Sequence, residues 1–283
     1  MFKKLIVKAL SLGVPGLLIA FRNFKENYKL SKEPRIIGKG FKFIGNYAMM
    51  SGNFEPGETV IFEKILKQVD VVVNVGANVG YYCCIALNAK KRVIAFEPMP
   101  TNIQALLANV HSNHWESKIE IFPMALSDKA GVMEIFGEGT GASLIKGWAG
   151  VEAAKTSLIP TSTLDLVLGD RFLNQRCLLM VDIEGSEYLF LEGAKDFLNM
   201  SPKPIFFMEI SIQAQQPRGQ KINPNLLETF EPFWSRGYKA FTTHHSHRLV
   251  TREEVQEIVN GGADTLCGDT FLFLHEEAHE KLD

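Results

Sequence analysis

Val71-Val72-Val73-Asn74-Val75-Gly76-Ala77-Asn78-Val79-Gly80-Tyr81-Tyr82 decides how this chain reads. A β-branched run suited to a buried strand stops at a small-residue loop, and a helix-compatible run follows. Further on, Val93-Ile94-Ala95-Phe96-Glu97 is a second apolar run that ends on an acid. Strand, glycine loop, helix, strand and terminal carboxylate is the arrangement by which an open α/β sheet holds a ribose-containing ligand. Gly76 has no Cβ, so the backbone there can approach a ligand closely. Glu97 falls about 20 residues later, where a carboxylate can accept hydrogen bonds from both ribose hydroxyls. The plain alternative is a βα turn in which the two glycines only relieve packing.

The dinucleotide fingerprint is Gly-x-Gly-x-x-Gly. Here Gly76 is followed by Ala77 and Asn78, and Cys83 stands where the third glycine would fall if Gly80 were the second. A pyrophosphate needs bare amides at a helix N-terminus, and this loop suits it less well. The Lys-Ser/Thr of a P-loop is missing too. A cofactor with ribose but no phosphate fits better. S-adenosylmethionine is the common one, and NAD is the competitor.

The 283 residues, 46% of them hydrophobic, suffice for one α/β domain of about 200 residues plus an appendage. The expected division is an N-terminal appendage over 1–57 and an α/β domain over 58–283. A net charge of −2 provides no global field for nucleic acid, so no nucleic-acid partner is expected. Cys83, Cys84, Cys177 and Cys267 show no zinc-ligand spacing and no disulfide framework. They read as small buried apolar groups in a reducing, cytoplasmic setting. Lys3 and Lys4 precede an apolar run from Leu5 to Phe21, which Lys8, Gly13, Pro15 and Gly16 interrupt. That run is too broken for a membrane span and lacks a cleavage signal. It reads as a helix packed on the domain or on a partner chain, with peripheral membrane-surface contact through residues 1–21 as the alternative.

Along the chain, strands alternate with helices. Strands are expected at Asp70–Val75, Arg92–Glu97, Lys118–Pro123, Val132–Phe136, Leu178–Asp182, Pro204–Ile210, Tyr238–Thr242 and Thr270–His275. Helices are expected at Glu58–Lys67, Tyr81–Ala89, Pro100–His111, Glu187–Leu198, Leu226–Arg236 and Thr251–Asn260, the last capped by Thr251 with Glu254 three residues on. The result is a doubly wound, mostly parallel sheet with helices on both faces. Gly137-Glu138-Gly139-Thr140-Gly141 reads as a flexible loop that could serve as a lid.

A second feature is Leu178-Leu179-Met180-Val181-Asp182-Ile183-Glu184-Gly185-Ser186-Glu187. The carboxyl end of a parallel strand opens on the ligand crevice, so Asp182 should face the crevice of Gly76 and Glu97. Three buried carboxylates need a substrate hydroxyl, a bound cation or a raised pKa. Glu187 could instead complement a helix dipole. Glu209 ends another apolar strand at the crevice edge. His244, His245 and His247 follow the strand Tyr238–Thr242 and could supply a base or a metal ligand, or be an exposed polar loop.

These residues together resemble the FkbM family of S-adenosylmethionine-dependent methyltransferases. The matching stretches are Asn74–Tyr82, Ala95–Asn102, Ala125–Asp128, Thr161–Asp165, and Asp182–Glu187 with Glu192–Ala194. The resemblance implies a seven-stranded Rossmann-like methyltransferase sheet in which one strand, Thr270–His275, is antiparallel. It implies cofactor contacts from Asn74, Gly76, Asn78, Gly80, Glu97 and Asn102, with Ser127 or Asp128 beside the adenine. It implies O-methylation of a sugar, glycan, or polyketide- or lipid-type hydroxyl. Asp182 is then expected to position the acceptor or the methionine end of the cofactor. Glu209 or His244 is the expected base, and Asp182 with Glu209 could hold a divalent cation. An NAD-dependent oxidoreductase and a non-catalytic scaffold are the rival readings.

Overall fold

The computed structural model describes residues 33–151, 155–244 and 247–276. The apolar segment 1–21 and His245 lie outside the described residues. Strands β1 (Arg35–Ile36) and β2 (Lys42–Phe43) pair antiparallel, and helices α1 (Tyr47–Ser51) and α2 (Pro56–Leu66) follow. Next come β3 (Val71–Val75), α3 (Tyr81–Asn88), β4 (Arg92–Phe96), α4 (Pro100–Ser112) and β5 (Ile119–Phe122). Strands β6 (Ala125–Leu126), β7 (Gly131–Phe136) and β8 (Thr156–Ser162) form a small separate sheet. The chain continues through α5 (Leu164–Leu168), β9 (Cys177–Val181), α6 (Glu187–Glu192), β10 (Ile205–Glu209) and α7 (Leu226–Trp234). It then forms β11 (Tyr238–Thr242), β12 (Leu249–Val250), α8 (Arg252–Val259) and β13 (Thr270–His275).

The main sheet runs β12-β11-β13-β10-β9-β3-β4-β5. Strand β13 is antiparallel to both β10 and β11, as expected for Thr270–His275. The seven expected strands are joined by an eighth, the two-residue edge strand β12, which pairs antiparallel with β11. Side chains alternate across the strands and build two cores. Val71, Val73, Val75, Ile94, Phe96, Leu179, Val181, Phe206 and Met208 face a layer that includes Phe190, Phe230 and Phe233 from α6 and α7. Val72, Val93, Ala95, Leu178, Met180, Ile205 and Phe207 face α2, α3 and α4. Ile37, Phe41, Phe43 and Met49, from the segment ahead of α2, are buried in that second core.

One expected helix differs, and one long strand lies outside the expected set. The helix read over Glu187–Leu198 is α6 followed, past Gly193, by a separate short turn at Phe197–Asn199. A Cβ at Gly193 would strike the Ser127 carbonyl, and the Asp165 carboxylate takes the N–H groups of Asp196 and Phe197, each at 2.9 Å, to open the next turn. Strand β8 was not anticipated because Pro160 interrupts its pattern; that residue sits opposite Val132 of β7. Of the four free cysteines, Cys83, Cys84 and Cys177 are buried, whereas Cys267 is exposed. No helix of the described residues is long and apolar enough to cross a membrane.

Candidate functional site

Strand register sets the site. Val75 lies opposite both Phe96 and Val181, and Met208 lies opposite Val181. Continuing each register by one residue aligns Glu97, Gly76, Asp182 and Glu209 in one row across the carboxyl edge, and Glu209 pairs with Thr270. Neighbours in such a row are about 4.8 Å apart along the sheet. Alternation also fixes direction. Glu97 continues the face of Val93 and Ala95, Asp182 that of Met180, and Glu209 that of Phe207, all toward the α2–α4 layer.

Gly76 is the bare position between the acids. Its φ is +82°, and a Cβ there would collide with the Asp182 carbonyl. Asn78, at φ 53°, is also left-handed and lets the loop turn. Its N–H donates to Glu97 Oε2 at 2.7 Å, and its Oδ1 accepts from the Val79 N–H at 2.7 Å. Glu97 Oε1 accepts from the Met99 N–H at 2.9 Å and from Asn102 Nδ2 at 3.1 Å. Three donors thus hold a carboxylate that is only 4% exposed. Burial raises its pKa and those donors lower it, with burial the larger effect. Oε2 keeps acceptor capacity for a ligand hydroxyl.

A cavity of about 590 Å³, counting its open mouth, adjoins this row. Gly76, Asn78, Glu97 and Asn102 line it, as do Asp182, Glu184 and Ser186. Its apolar walls come from Phe96, Met99, Met124, Leu126, Ile135 and Leu144. Gly139 and Thr140 of the glycine-rich loop line it too, and the Gly139 carbonyl accepts from Asn102 Nδ2 at 3.2 Å.

The structure does not bring every expected residue to this cavity. Asn74 points to the helix side, where its Nδ2 donates to Cys83 Sγ at 3.3 Å. Gly80 starts α3, and a Cβ there would strike Leu106. Ser127 is fully buried and its hydroxyl donates to Asp128 Oδ1 at 3.0 Å. Met124–Leu126, just before that pair, line the cavity in its place. His244 is exposed, lying just past β11 against the Gly268 backbone, and β13 separates β11 from β10. His247 is exposed as well.

Beyond Gly76 the carboxylates change character. No donor bonds the Asp182 or Glu209 side chain among the described residues. Burial first, then the neighbouring charges of Glu209, Glu184 and Glu55, hold the Asp182 carboxyl well above its usual range. Burial, then Glu184, Glu55 and Glu187, push Glu209 up to about 8. Glu184 and Gly185 are both left-handed, at φ 53° and 95°, and make the sharp turn after β9. Trp148 lies over Gly185, where a Cβ would enter its ring, and donates Nε1–H to Glu184 Oε2 at 2.8 Å. Glu187 is 2% exposed and takes the Gly185 N–H at 3.0 Å, so it ties the turn to its own helix. Among the described residues, no three His, Cys, Asp or Glu side chains are grouped to hold a metal ion.

Sequence reasoning missed Glu55 and Trp148. Glu55 precedes α2, has φ 41°, and its Oε2 accepts from Tyr82 Oη at 2.7 Å. A lone Glu before Pro56 carries no spacing signal. The Gly147–Gly150 stretch around Trp148 could have flagged a tight turn.

The strand order β5-β4-β3-β9-β10-β13-β11, with β13 reversed, and Gly76 beside the strand-end Glu97 agree with the sheet that the resemblance to S-adenosylmethionine-dependent methyltransferases implies. The Methyltransferase FkbM domain model matches residues 74–240, more than half of the chain, and the chain belongs to that family. No curated protein matches by sequence. Among solved structures, methyltransferase FkbM from Methylobacillus flagellatus KT is 19% identical, with a TM-score of 0.45, over 72% of this chain and 43% of that one. This chain therefore spans less than half the length of that relative. A SAM-dependent methyltransferase from Agrobacterium tumefaciens is 12% identical, with a TM-score of 0.44, over 86% of this chain and 70% of that one. An O-methyltransferase from Bacillus cereus in complex with SAH is 12% identical, with a TM-score of 0.42, over 78% and 80%.

Proposed function

We propose that this methyltransferase transfers the methyl group to a hydroxyl of a sugar, glycan, or polyketide- or lipid-type small molecule. The observation that carries the reading is the row itself, with Gly76 bare between the donor-held Glu97 and the donor-free Asp182–Glu209 pair. The residues fit the cofactor: Gly76 and the ribose-suited Glu97 line one cavity, and its apolar walls suit an adenine ring. When bound, its sulfonium supplies an already activated methyl group. Glu97 would hold the ribose, with Asn78, Met99 and Asn102 keeping its carboxylate in place. Asp182 would position the acceptor or the methionine end.

A neutral hydroxyl is a poor nucleophile, so a base should take its proton, and such a base contributes about 10²–10⁴-fold. Glu209 is favoured over His244 because it is next to Asp182 in the row. Its raised pKa suits proton exchange near neutral pH. Alignment of the hydroxyl behind the methyl contributes up to roughly 7–11 kcal/mol. A divalent cation between Asp182 and Glu209 would be another way to relieve these acids, and EDTA treatment tests for it.

The test is titration calorimetry with S-adenosylhomocysteine, with NADH as control. Micromolar binding, about −8 kcal/mol, is expected for the former. The protein would then be screened against uncharged glycosides and hydroxylated lipids by S-adenosylhomocysteine release. NADH binding without S-adenosylhomocysteine binding would overturn the proposal, as would turnover confined to amine acceptors.

A further inference from the structure

We propose that Glu55, which precedes the family-matched segment, is an acceptor-binding residue: it faces the transferred methyl and takes a hydroxyl or ammonium donor of the acceptor. The inference rests on the methyltransferase reading above. Glu55 occupies the N-cap position of α2, yet its side chain does not cap the helix. Its carboxylate turns to Tyr82, in the first turn of the helix that follows the Gly76–Gly80 loop, at the carboxyl edge of the sheet. Tyr82 is itself packed against Phe62 of α2, with ring centroids 4.8 Å apart, so this bond joins two fixed elements. The left-handed backbone at Glu55 is unfavourable for a non-glycine residue and sets the direction of the side chain.

Asp182 and Glu209 project to this same α2–α4 side of the sheet, and both feel the charge of Glu55. The second Glu55 oxygen has no partner among the described residues. Ser186 is a separate sign of a ligand at the adjoining Asp182–Glu184 end of the cavity, whose lining does not include Glu55. It lines the cavity with Asp182 and Glu184, is 1% exposed, and its hydroxyl has no hydrogen-bond partner in the described structure. Buried hydroxyls are nearly always bonded, so Ser186 points to a polar ligand at the acid-rich end. Whatever negative charge these acids retain favours donors and disfavours anions. The segment ahead of the family domain thereby selects acceptors that are neutral or cationic next to the reacting hydroxyl.

The acceptor being unidentified, the probe is sinefungin, whose amine stands where the methyl sulfonium would be. Its affinity is compared with that of S-adenosylhomocysteine, which lacks that amine, by calorimetry on the full chain. Glu55→Gln keeps an acceptor for Tyr82 and should weaken sinefungin roughly tenfold while leaving S-adenosylhomocysteine unchanged. Tyr82→Phe keeps the ring packing, frees the carboxylate, and should give a smaller loss of about threefold in the same ratio. An unchanged ratio in Glu55→Gln, or an equal loss for both ligands, would overturn the assignment and make Glu55 a structural tie. Wild-type protein that binds neither analogue would overturn the methyltransferase reading itself, and this inference with it.

Discussion

The two halves of the strand-end row handle negative charge in opposite ways. On one side of Gly76, Glu97 is clasped by two backbone N–H groups and an asparagine. On the other, Asp182 and Glu209 lie side by side with no donor among the described residues and with Glu55 and Glu184 adding repulsion. The first half is preorganised: its charge is fixed before any ligand arrives. The second half is poised to exchange a proton or to receive a donor. A site that must hold one molecule firmly and act on another benefits from both arrangements in one cleft.

Four substitutions break or sharpen this contrast, from the largest effect to the smallest. Gly76→Ala inserts a Cβ against the Asp182 carbonyl at a left-handed φ, and so damages the hinge between the halves. S-adenosylhomocysteine binding should fall at least about 100-fold, with a stability loss of about 3 kcal/mol on denaturant unfolding. Glu97→Ala strands the Asn78 and Met99 N–H groups and Asn102. Calorimetry should show binding weakened roughly 30-fold, about 2 kcal/mol, against near-wild-type binding for Glu209→Gln.

Glu209→Gln should change stability in the opposite sense. The folded Glu209 holds its proton up to about pH 8, against an ordinary value of 4.5. Between those values the unfolded chain has released a proton that the folded state keeps, so wild-type stability falls as pH rises from about 4.5 to about 8. The Gln variant should lack part of that decline and melt about 2 °C above wild type at pH 8, with little difference near pH 4. A steeper decline in the variant would show that the two acids do not repel. Trp148→Phe keeps a ring over Gly185 but removes the donor to Glu184. It should cost about 1 kcal/mol in thermal unfolding, with S-adenosylhomocysteine affinity within about threefold of wild type.

The preorganised half was largely legible in the chain. Val71–Val75 and Arg92–Phe96 have unbroken apolar runs, and their ends carry Gly76 and Glu97, so periodicity alone located both. Helix α8 also matched its cap, with Thr251 Oγ1 accepting the Glu254 N–H at 3.2 Å. Asp182 and Glu209 were visible for the same reason, as acids closing apolar strands. What the sequence could not display is direction. Asn74 sits in the signature stretch, yet strand parity turns it toward Cys83. Ser127 and Asp128 follow the cavity-lining Met124–Leu126 by one or two residues, a displacement that no local pattern encodes. Glu55 and Trp148 reach the acid-rich end from segments without periodicity. Only the folded register of distant elements brings them near Asp182 and Glu184.

Strand β13 carries a consequence for how the molecule is made. It is inserted between β10 and β11, which precede it in the chain, and it pairs with both. Until residues 270–275 emerge from the ribosome, β10 has an unsatisfied edge that ends at Glu209, and β11 has no partner on that side. The Glu97–Gly76–Asp182 part of the row needs only β4, β3 and β9, whereas the far edge of β10 is covered by a strand synthesised about 60 residues after Glu209, and long-range pairings of that kind form slowly. A nascent chain can therefore complete the Glu97–Gly76 end of the row before the Glu209 end has its last strand.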